Sequence, residues 1–306
     1  MKNPDLSVSL GKLNLKNPVI TASGTCGYGK ELEEYMNIEK LGALTVKGLS
    51  INPKKGNPLP RIAETPAGML NSIGLENPGL KIFKDQKIPL INEYNLPVIV
   101  NISAHSIDDF AYLAEELSAF TQISALEVNV SCPNLDKGGM AFGTDSELIY
   151  QVTRKVNNNY PGTVIVKLSP NVTDIVEMAS AAEEGNADVI SLINTLLGMS
   201  INIDQQEPVL GNTYGGLSGP AIKPVALRMV YQVASQVKVP LIGMGGIMNG
   251  KDAIEFLLAG ASAIGVGTAT LVNPDACYRI ISEIEEYLVQ KDITKIESII
   301  GKALIK

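Results

Sequence analysis

One cysteine stands where a thiol could take part in chemistry. Cys132 follows the apolar run ALEVNVS (125–131) and opens a glycine-rich segment, 132–145, that we interpret as a lid. A thiol acts as a catalyst only with partial exposure and a pKa tuned from about 8.5, and a lone cysteine is otherwise inert packing. Cys132 is therefore a candidate catalyst, with packing as the alternative. Cys26 and Cys277 are interpreted as structural.

Lysines and asparagines recur at the ends of strand-like runs. Lys47 and Lys167 end apolar runs, and lysine is rarely buried without a partner, so both indicate bound anionic or polar groups. Amide side chains at the same level are Asn71, Asn101, Asn129, Asn134 and Asn194. Because an amide both donates and accepts, this set suits a planar ligand such as a pyrimidine or flavin ring. Loop-capping asparagines are the alternative.

Two glycine clusters close the last strand-like runs. GMGGI (243–247) and GVGT (265–268) leave bare backbone amides, and Asn249 or Gly250 then opens a helix. Barrels of alternating strands and helices often bind phosphate in these loops, because amides and a helix N-terminus favour an anion. We expect a phosphate site here rather than simple chain turns.

Other motifs are excluded. Neither glycine cluster spells the dinucleotide pattern G-x-G-x-x-G, and GTCGYGKE (24–31) lacks the Ser or Thr that follows the lysine of a nucleotide-binding loop. Three cysteines and one histidine cannot supply a zinc site of four ligands at short spacing, so we expect no metal. His105 is interpreted as a hydrogen-bonding residue between a loop and a helix rather than a catalyst.

These residues follow a repeated unit of a strand and an amphipathic helix. The strands are predicted at 18–24, 42–48, 97–103, 125–131, 164–170, 188–194, 240–246 and 263–268. Continuous apolar runs are typical of parallel strands that are buried on both faces. We predict a single α/β domain over 1–306, a (β/α)₈ TIM barrel with long loop insertions after strands 2, 4 and 6. A doubly wound open sheet is the alternative. Predicted helix caps include Ser106, Thr173 and a capping box at Thr294 and Glu297.

Composition narrows the class of protein. The 306 residues carry a net charge of −7 without a basic run, which disfavours nucleic-acid binding. The apolar runs are shorter than the roughly 18 residues of a membrane span, and the N-terminus resembles neither a signal nor a transit peptide. An odd number of cysteines without an export signal favours a reducing, cytoplasmic location.

Taken in order, these segments resemble the class 1 dihydroorotate dehydrogenases, flavin enzymes of pyrimidine biosynthesis. The resemblance covers nearly the whole chain, through VITASGT, TVKG, NSIGLENPG, VNVSCPN, VKLSP, GLSGPA, GMGGI and GVGT. SCPN followed by a lysine and paired glycines is most similar to class 1B. Ser72 and Glu76 depart from the NAIGLQNPG of that class. Class 2 enzymes differ by a serine at the position of Cys132 and by an N-terminal membrane segment.

The resemblance implies FMN as cofactor and oxidation of (S)-dihydroorotate to orotate. The implied FMN-binding residues are Ser23, Lys47, Gly48, Asn101, Asn129, Lys167, Ile193, Gly219, Gly245, Gly246, Gly267 and Thr268. The implied substrate-binding residues are Lys47, Asn71, Ser72, Ile73, Gly74, Leu75, Asn129, Asn194 and Thr195.

The chemistry of the reaction assigns roles to these groups. The flavin would accept a hydride at N5 while Cys132 takes the C5 proton as general base from the opposite face. Lys167 would lie near the N1–C2 edge of the ring and stabilise negative charge there.

The resemblance also implies a partner. Class 1B enzymes pass electrons to NAD⁺ through an electron-transfer subunit that carries FAD and a [2Fe–2S] cluster, and the expected assembly is a homodimer core of a heterotetramer. The cysteine spacing of this chain supplies no such cluster. Alternatives are a fumarate-dependent class 1A enzyme, a phosphosugar isomerase or lyase, and a non-catalytic barrel that binds a ligand.

Overall fold

The computed structural model describes residues 3–131, 133–134 and 140–305. Cys132 and the 135–139 part of the predicted lid therefore lie outside the described residues. The strands are β1 (Val8–Leu10), β2 (Leu13–Leu15), β3 (Val19–Thr21), β4 (Leu44–Leu49), β5 (Ile62–Thr65), β6 (Gly68–Asn71), β7 (Val98–Ile102), β8 (Ile123–Asn129), β9 (Pro133–Asn134), β10 (Met140–Ala141), β11 (Thr163–Lys167), β12 (Val189–Leu192), β13 (Leu196–Gly198), β14 (Ile201–Asn202), β15 (Glu207–Pro208), β16 (Gly215–Ser218), β17 (Leu241–Met244) and β18 (Ala263–Val266).

The helices complete the element order. They are α1 (Lys30–Glu33), α2 (Gly79–Ile82), α3 (Ile88–Ile91), α4 (Ile107–Ser118), α5 (Ser146–Asn159), α6 (Ile175–Glu184), α7 (Lys223–Ala234), α8 (Gly250–Leu258), α9 (Thr268–Val272) and α10 (Ala276–Gln290), and a π-helical turn, Phe83–Lys87, joins α2 to α3. No helix in the described part of the chain combines the length and the apolar character of a membrane span.

Eight parallel strands form the central sheet and close on themselves. Their order is β3-β18-β17-β12-β11-β8-β7-β4. The two ends meet, because Ile20 of β3 forms a parallel bridge with Ala43, just before β4, and Thr45 donates its backbone N–H to Thr21 Oγ1 over 2.9 Å. This closure confirms the predicted (β/α)₈ barrel and excludes the doubly wound open sheet.

The barrel strands are buried on both faces. Every residue of β7 and of β11 is buried, as expected when one face fills the barrel and the other is covered by helices. Outside the sheet, Phe110 of α4 packs edge-on against Phe142 with ring centroids 5.5 Å apart. The apolar core thus packs around the strands, and the candidate site lies at their carboxyl ends.

Helix starts were predicted with mixed success. Ser106 caps α4, accepting a hydrogen bond from the Asp109 N–H over 3.1 Å. The prediction for α6 is wrong by one residue, because the Asp174 carboxylate caps it by accepting from Val176 and Glu177. The negative charge of the Asp174 carboxylate also interacts more favourably with the positive N-terminal end of the helix dipole than a neutral hydroxyl would. The predicted capping box at Thr294 and Glu297 is wrong, since that segment is a 3₁₀ turn, Ile296–Ile299, without a side-chain cap.

Excursions after the barrel strands build a second, smaller sheet. The excursion after β4 contains β5 and β6, and the excursion after β12 contains β13 to β16. Together they form a four-stranded antiparallel sheet in the order β13-β16-β6-β5. After β8, the short strands β9 and β10 pair with each other. We call the four-stranded sheet the cap sheet, since residues of β5, β6 and β16 border the cavity described next.

Candidate active site

A cavity of about 460 Å³ opens at the carboxyl ends of the barrel strands, under the cap sheet. It brings together residues from all parts of the chain. The sequence-predicted residues that line it are Ser23, Lys47, Gly48, Asn71, Ile73, Gly74, Leu75, Asn101, Asn129, Lys167, Ile193, Asn194, Thr195, Gly219, Gly245, Gly246, Gly267 and Thr268. One cavity therefore collects all the predicted cofactor residues, and every predicted substrate residue but Ser72.

Ser72 takes a different place. Its side chain is buried behind the cavity wall, where its hydroxyl accepts a hydrogen bond from Asn57 Nδ2 over 2.9 Å. Its backbone N–H donates to the carbonyl of Arg61 over 2.7 Å. Ser72 supports the loop that carries Asn71 and Ile73 rather than lining the cavity.

A buried network of an ion pair and hydrogen bonds surrounds Glu127, which lies behind Lys167 and outside the cavity. Lys167 Nζ lies 3.5 Å from Glu127 Oε1, and both side chains are nearly inaccessible to solvent. The same oxygen accepts a hydrogen bond from Asn101 Nδ2 over 2.7 Å, and Glu127 Oε2 accepts one from Ser191 Oγ over 2.9 Å. Burying a carboxylate is costly unless it is paired and hydrogen-bonded, and Glu127 has both kinds of partner.

Sequence reasoning missed Glu127, although a signal was present. Glu127 is a charged residue in the otherwise apolar run 125–128, two positions before Asn129 and therefore on the same face of the strand. A charge at an inward-facing position of a buried strand requires a partner. Lys167, on the neighbouring strand β11, is that partner.

Hydrogen bonds orient the asparagine side chains of the site. Asn194 Nδ2 donates to Asn129 Oδ1 over 3.3 Å and to Ser131 Oγ over 2.9 Å. Asn194 Oδ1 accepts from the Thr195 N–H over 2.9 Å. On the cap sheet, Asn71 Nδ2 donates to the carbonyl of Gly216 over 3.2 Å. These contacts fix the amide planes, so the cavity presents polar groups in set directions.

An arginine holds the loop that follows β6. Arg61 Nη1 donates to Glu76 Oε2 over 2.7 Å, and its other nitrogens donate to the carbonyls of Lys55 and Asn57. The loop itself contains Leu75 in the left-handed region, with φ 54°. We call Arg61, Glu76 and Asn57 the loop clamp. It ties both ends of the predicted substrate loop to the preceding segment.

The glycines after β17 make a close backbone approach. Gly246 has φ 75°, and a Cβ there would lie 2.8 Å from the carbonyl oxygen of Gly219 and 2.9 Å from the Lys223 nitrogen. Only glycine fits this position without a shift of backbone. Close to Gly219, Thr268 Oγ1 donates to Ser218 Oγ over 2.8 Å, joining the start of α9 to the cap sheet.

Carboxylates behind these glycines organise the loop. Asp252 accepts from the Met248 N–H over 2.9 Å and pairs with Lys223 Nζ at 2.7 Å, and Glu255 pairs with the same ammonium at 3.0 Å. Burial lowers the pKa of Lys223, but its hydrogen bonds to Asp252 and Glu255 outweigh burial and raise that pKa above the ordinary lysine value. Lys223 therefore remains protonated and ion-paired with these two carboxylates.

The described cysteines are inert, as predicted. Cys26 is buried and donates from Sγ to the carbonyl of Thr45, and burial raises its pKa to about 12. Burial also raises the pKa of the Cys277 thiol well above its ordinary value. Cys132 lies outside the described residues. His105 Nε2 is 2.7 Å from Lys54 Nζ, and His105 does not line the cavity.

Known proteins resemble this chain along almost its entire length. The family model described as dihydroorotate dehydrogenase matches residues 5–288. The chain is 54% identical over 301 residues to a protein of Geobacter metallireducens named dihydroorotate dehydrogenase B (NAD(+)), catalytic subunit, covering 98% of this chain and 99% of that protein. It is 54% identical over 297 residues to a protein of the same name from Thermoanaerobacter pseudethanolicus, covering 97% and 98% respectively.

Proposed function

The chain belongs to the dihydroorotate dehydrogenase family, and we propose that it is the catalytic subunit of a class 1B enzyme, which oxidises (S)-dihydroorotate to orotate in pyrimidine biosynthesis with NAD⁺ as final acceptor. The observation that carries this function is that one cavity is lined by all the predicted cofactor residues and by every predicted substrate residue except Ser72. Relatives named as NAD⁺-linked catalytic subunits disfavour the fumarate-dependent class 1A alternative.

The enzyme is flavin-dependent, and FMN is the flavin that we assign to the cavity. Its volume of about 460 Å³ falls within the range of roughly 300–1,000 Å³ usual for ligand sites. The glycine turn at Gly246 leaves room for backbone amides to approach an anion, in the loops where barrels commonly bind phosphate. Lys167, at the end of β11, supplies a cation to the same cavity. The residues present therefore fit a flat ring that carries a phosphate.

The substrate is held by the remaining polar groups. Lys47 supplies positive charge for the carboxylate of dihydroorotate, and Asn71, Asn129 and Asn194 supply amides that match the donors and acceptors of the pyrimidine ring. The hydrogen bond from Asn194 to Asn129 and the one from Asn71 to the Gly216 carbonyl fix the orientation of these amides before substrate arrives. Such preorganisation lowers the entropic cost of reaching the reactive geometry.

The reaction removes a hydride and a proton from adjacent carbons. The bound flavin supplies the hydride acceptor. Cys132 is the general base that takes the C5 proton. In support, the residue before it, Ser131, accepts a hydrogen bond from Asn194, which lines the cavity. The segment that follows Cys132 acts as a lid that excludes water. Its described end is anchored where the Gly143 N–H donates to the Val130 carbonyl over 2.7 Å.

A second subunit completes the enzyme. The relatives are named catalytic subunits, which implies an additional subunit. We assign FAD and a [2Fe–2S] cluster to that partner, since three dispersed cysteines give this chain no cluster-binding spacing. A homodimer is assigned as the core of the heterotetramer. Exposed apolar residues of the excursion after β12, Leu197, Ile201 and Ile203, support an interface with a second copy.

An anaerobic titration tests the function. Purified chain is mixed with (S)-dihydroorotate, followed by NAD⁺ or fumarate, with and without the co-purified partner. We expect a bound flavin whose visible absorbance bleaches on addition of dihydroorotate and returns with NAD⁺ only when the partner is present. Protein without flavin would favour the phosphosugar isomerase or lyase, and flavin that dihydroorotate does not bleach would favour a ligand-binding barrel.

A further inference from the structure

Glu127 is a buried carboxylate behind the cavity wall. Its side chain is 2% exposed, and it does not line the cavity, whereas two of its three partners, Asn101 and Lys167, do. Ser191, the third partner, is fully buried. Any effect of Glu127 on a bound molecule must therefore pass through Asn101 and Lys167 or act at a distance through its charge.

The charge of Glu127 changes the electrostatics of the cavity. Among the residues that the structure describes, the ionisable side chains that line the cavity are Lys47, Lys167 and Glu76. Glu76 pairs with Arg61 at 2.7 Å, so its charge is already compensated. Glu127 compensates Lys167 in turn, at 3.5 Å and out of contact with water. In such surroundings a single charge acts more strongly than it would in water.

We propose that Glu127 is a positioning residue that sets the reduction potential of the flavin by holding and partly neutralising Lys167. This proposal rests on the function proposed above. Reduction adds negative charge to the ring, which the Lys167 ammonium favours, and the Glu127 carboxylate weakens this effect by holding that ammonium in an ion pair. Glu127 thereby keeps the reduced flavin able to release its electrons. Its hydrogen bond from Asn101 fixes a second cavity residue in the same network.

The variant Glu127→Gln tests the charge, because glutamine keeps the shape and an acceptor for Asn101. The intact holoenzyme is measured by anaerobic spectroelectrochemistry, which reports the midpoint potential of the flavin independently of turnover. We expect a shift to more positive potential, slower reoxidation, and little change in the rate of reduction by dihydroorotate. The matched control Ser191→Ala removes the partner of the other carboxylate oxygen without changing charge, and its potential should equal that of the unsubstituted protein.

A double-mutant cycle with Lys167→Met separates action through Lys167 from a direct field on the flavin. Glu127→Gln should shift the potential much less in the Lys167→Met background than alone. An equal shift in both backgrounds would overturn the positioning role, as would an unchanged potential in Glu127→Gln. The double variant removes both charges together, so it avoids the cost of one unpaired buried charge.

If Glu127→Gln is too unstable to purify, Glu127→Asp tests the proposal instead. The shorter carboxylate keeps its charge but withdraws from Lys167, and a smaller positive shift is expected. An unchanged potential in that variant contradicts the proposal. These outcomes differ from failure of the proposed function, in which the unsubstituted protein holds no flavin or dihydroorotate does not bleach it.

Discussion

Among single residues, the cysteines show how surroundings decide chemistry. Cys26 and Cys277 are buried in the apolar core, and burial keeps their thiols protonated at neutral pH by raising their pKa values. Nucleophilic and basic chemistry requires the thiolate. Within the described residues neither sulfur is available for that role, which agrees with the proposal that Cys132 is the base.

Thiol alkylation distinguishes these residues. Native protein treated with iodoacetamide at about pH 8 should be modified at Cys132 alone, because the pKa of Cys26, at about 12, leaves almost no thiolate at that pH. Peptide mass spectrometry identifies the modified residue, and unfolded protein, labelled at all three cysteines, is the control. Labelling of Cys26 in native protein at the rate of Cys132 would contradict the assignment.

At the level of elements, the sequence predicted what local patterns encode. Apolar runs located all eight barrel strands, because strands buried on both faces carry continuous apolar residues. The cap sheet was not predicted, since β6 and β16 pair across about 145 residues and carry short, partly exposed runs. The Asp174 cap was missed because threonine and aspartate are both good caps in adjacent positions.

The residues of the candidate site also divide into those that a local pattern predicts and those whose role depends on contacts with distant elements. The glycines and asparagines at strand ends could be predicted, since parallel strands bring their carboxyl ends to one rim. Glu127 and Arg61 could not be assigned partners, because those partners lie on other elements. The role of Ser72 behind the wall depends on the conformation of a loop that no periodic pattern specifies.

The loop clamp should matter for substrate binding. Arg61→Ala removes the hydrogen bond to Glu76 at the end of the substrate loop and two hydrogen bonds to the preceding segment. We therefore expect KM for dihydroorotate to rise roughly tenfold, about 1.4 kcal/mol of binding free energy, with unchanged flavin content. Steady-state kinetics measure the change. Lys84→Ala is the matched control, since it removes a cation from a similar 2.7 Å pair with Glu116 that lies outside the cavity. Equal KM values in the two variants would contradict a role for the clamp.

The glycine turn should matter for the cofactor. Gly246→Ala places a Cβ against the Gly219 carbonyl, so we expect the purified variant to lose most of its FMN while its barrel remains folded. The absorbance ratio of flavin to protein and a thermal melt are measured together. Gly301→Ala shares the left-handed strain at φ 71°, but its nearest neighbour is the end of a Leu304 side chain. Retention of FMN by Gly246→Ala, or equal loss in both variants, would be inconsistent with the phosphate assignment.

For the whole molecule, the barrel separates two tasks. Its closed sheet fixes the strand ends that line the cavity, while excursions after the strands cover them. The proposed partner takes electrons away in a later step, so steady-state turnover mixes the chemistry of this chain with that of the second subunit. Reduction of the flavin by dihydroorotate belongs to this chain alone, and its rate reports the site directly.

The anaerobic rate of flavin bleaching in Cys132→Ala therefore tests the central claim, that the cavity oxidises dihydroorotate with Cys132 as base. Rapid mixing with saturating (S)-dihydroorotate should show FMN bound as in the unsubstituted protein and bleaching slowed by about 10²–10⁴-fold, the usual contribution of a general base. Cys26→Ala serves as the control and should bleach at the normal rate. Bleaching of Cys132→Ala at that same rate would contradict the account.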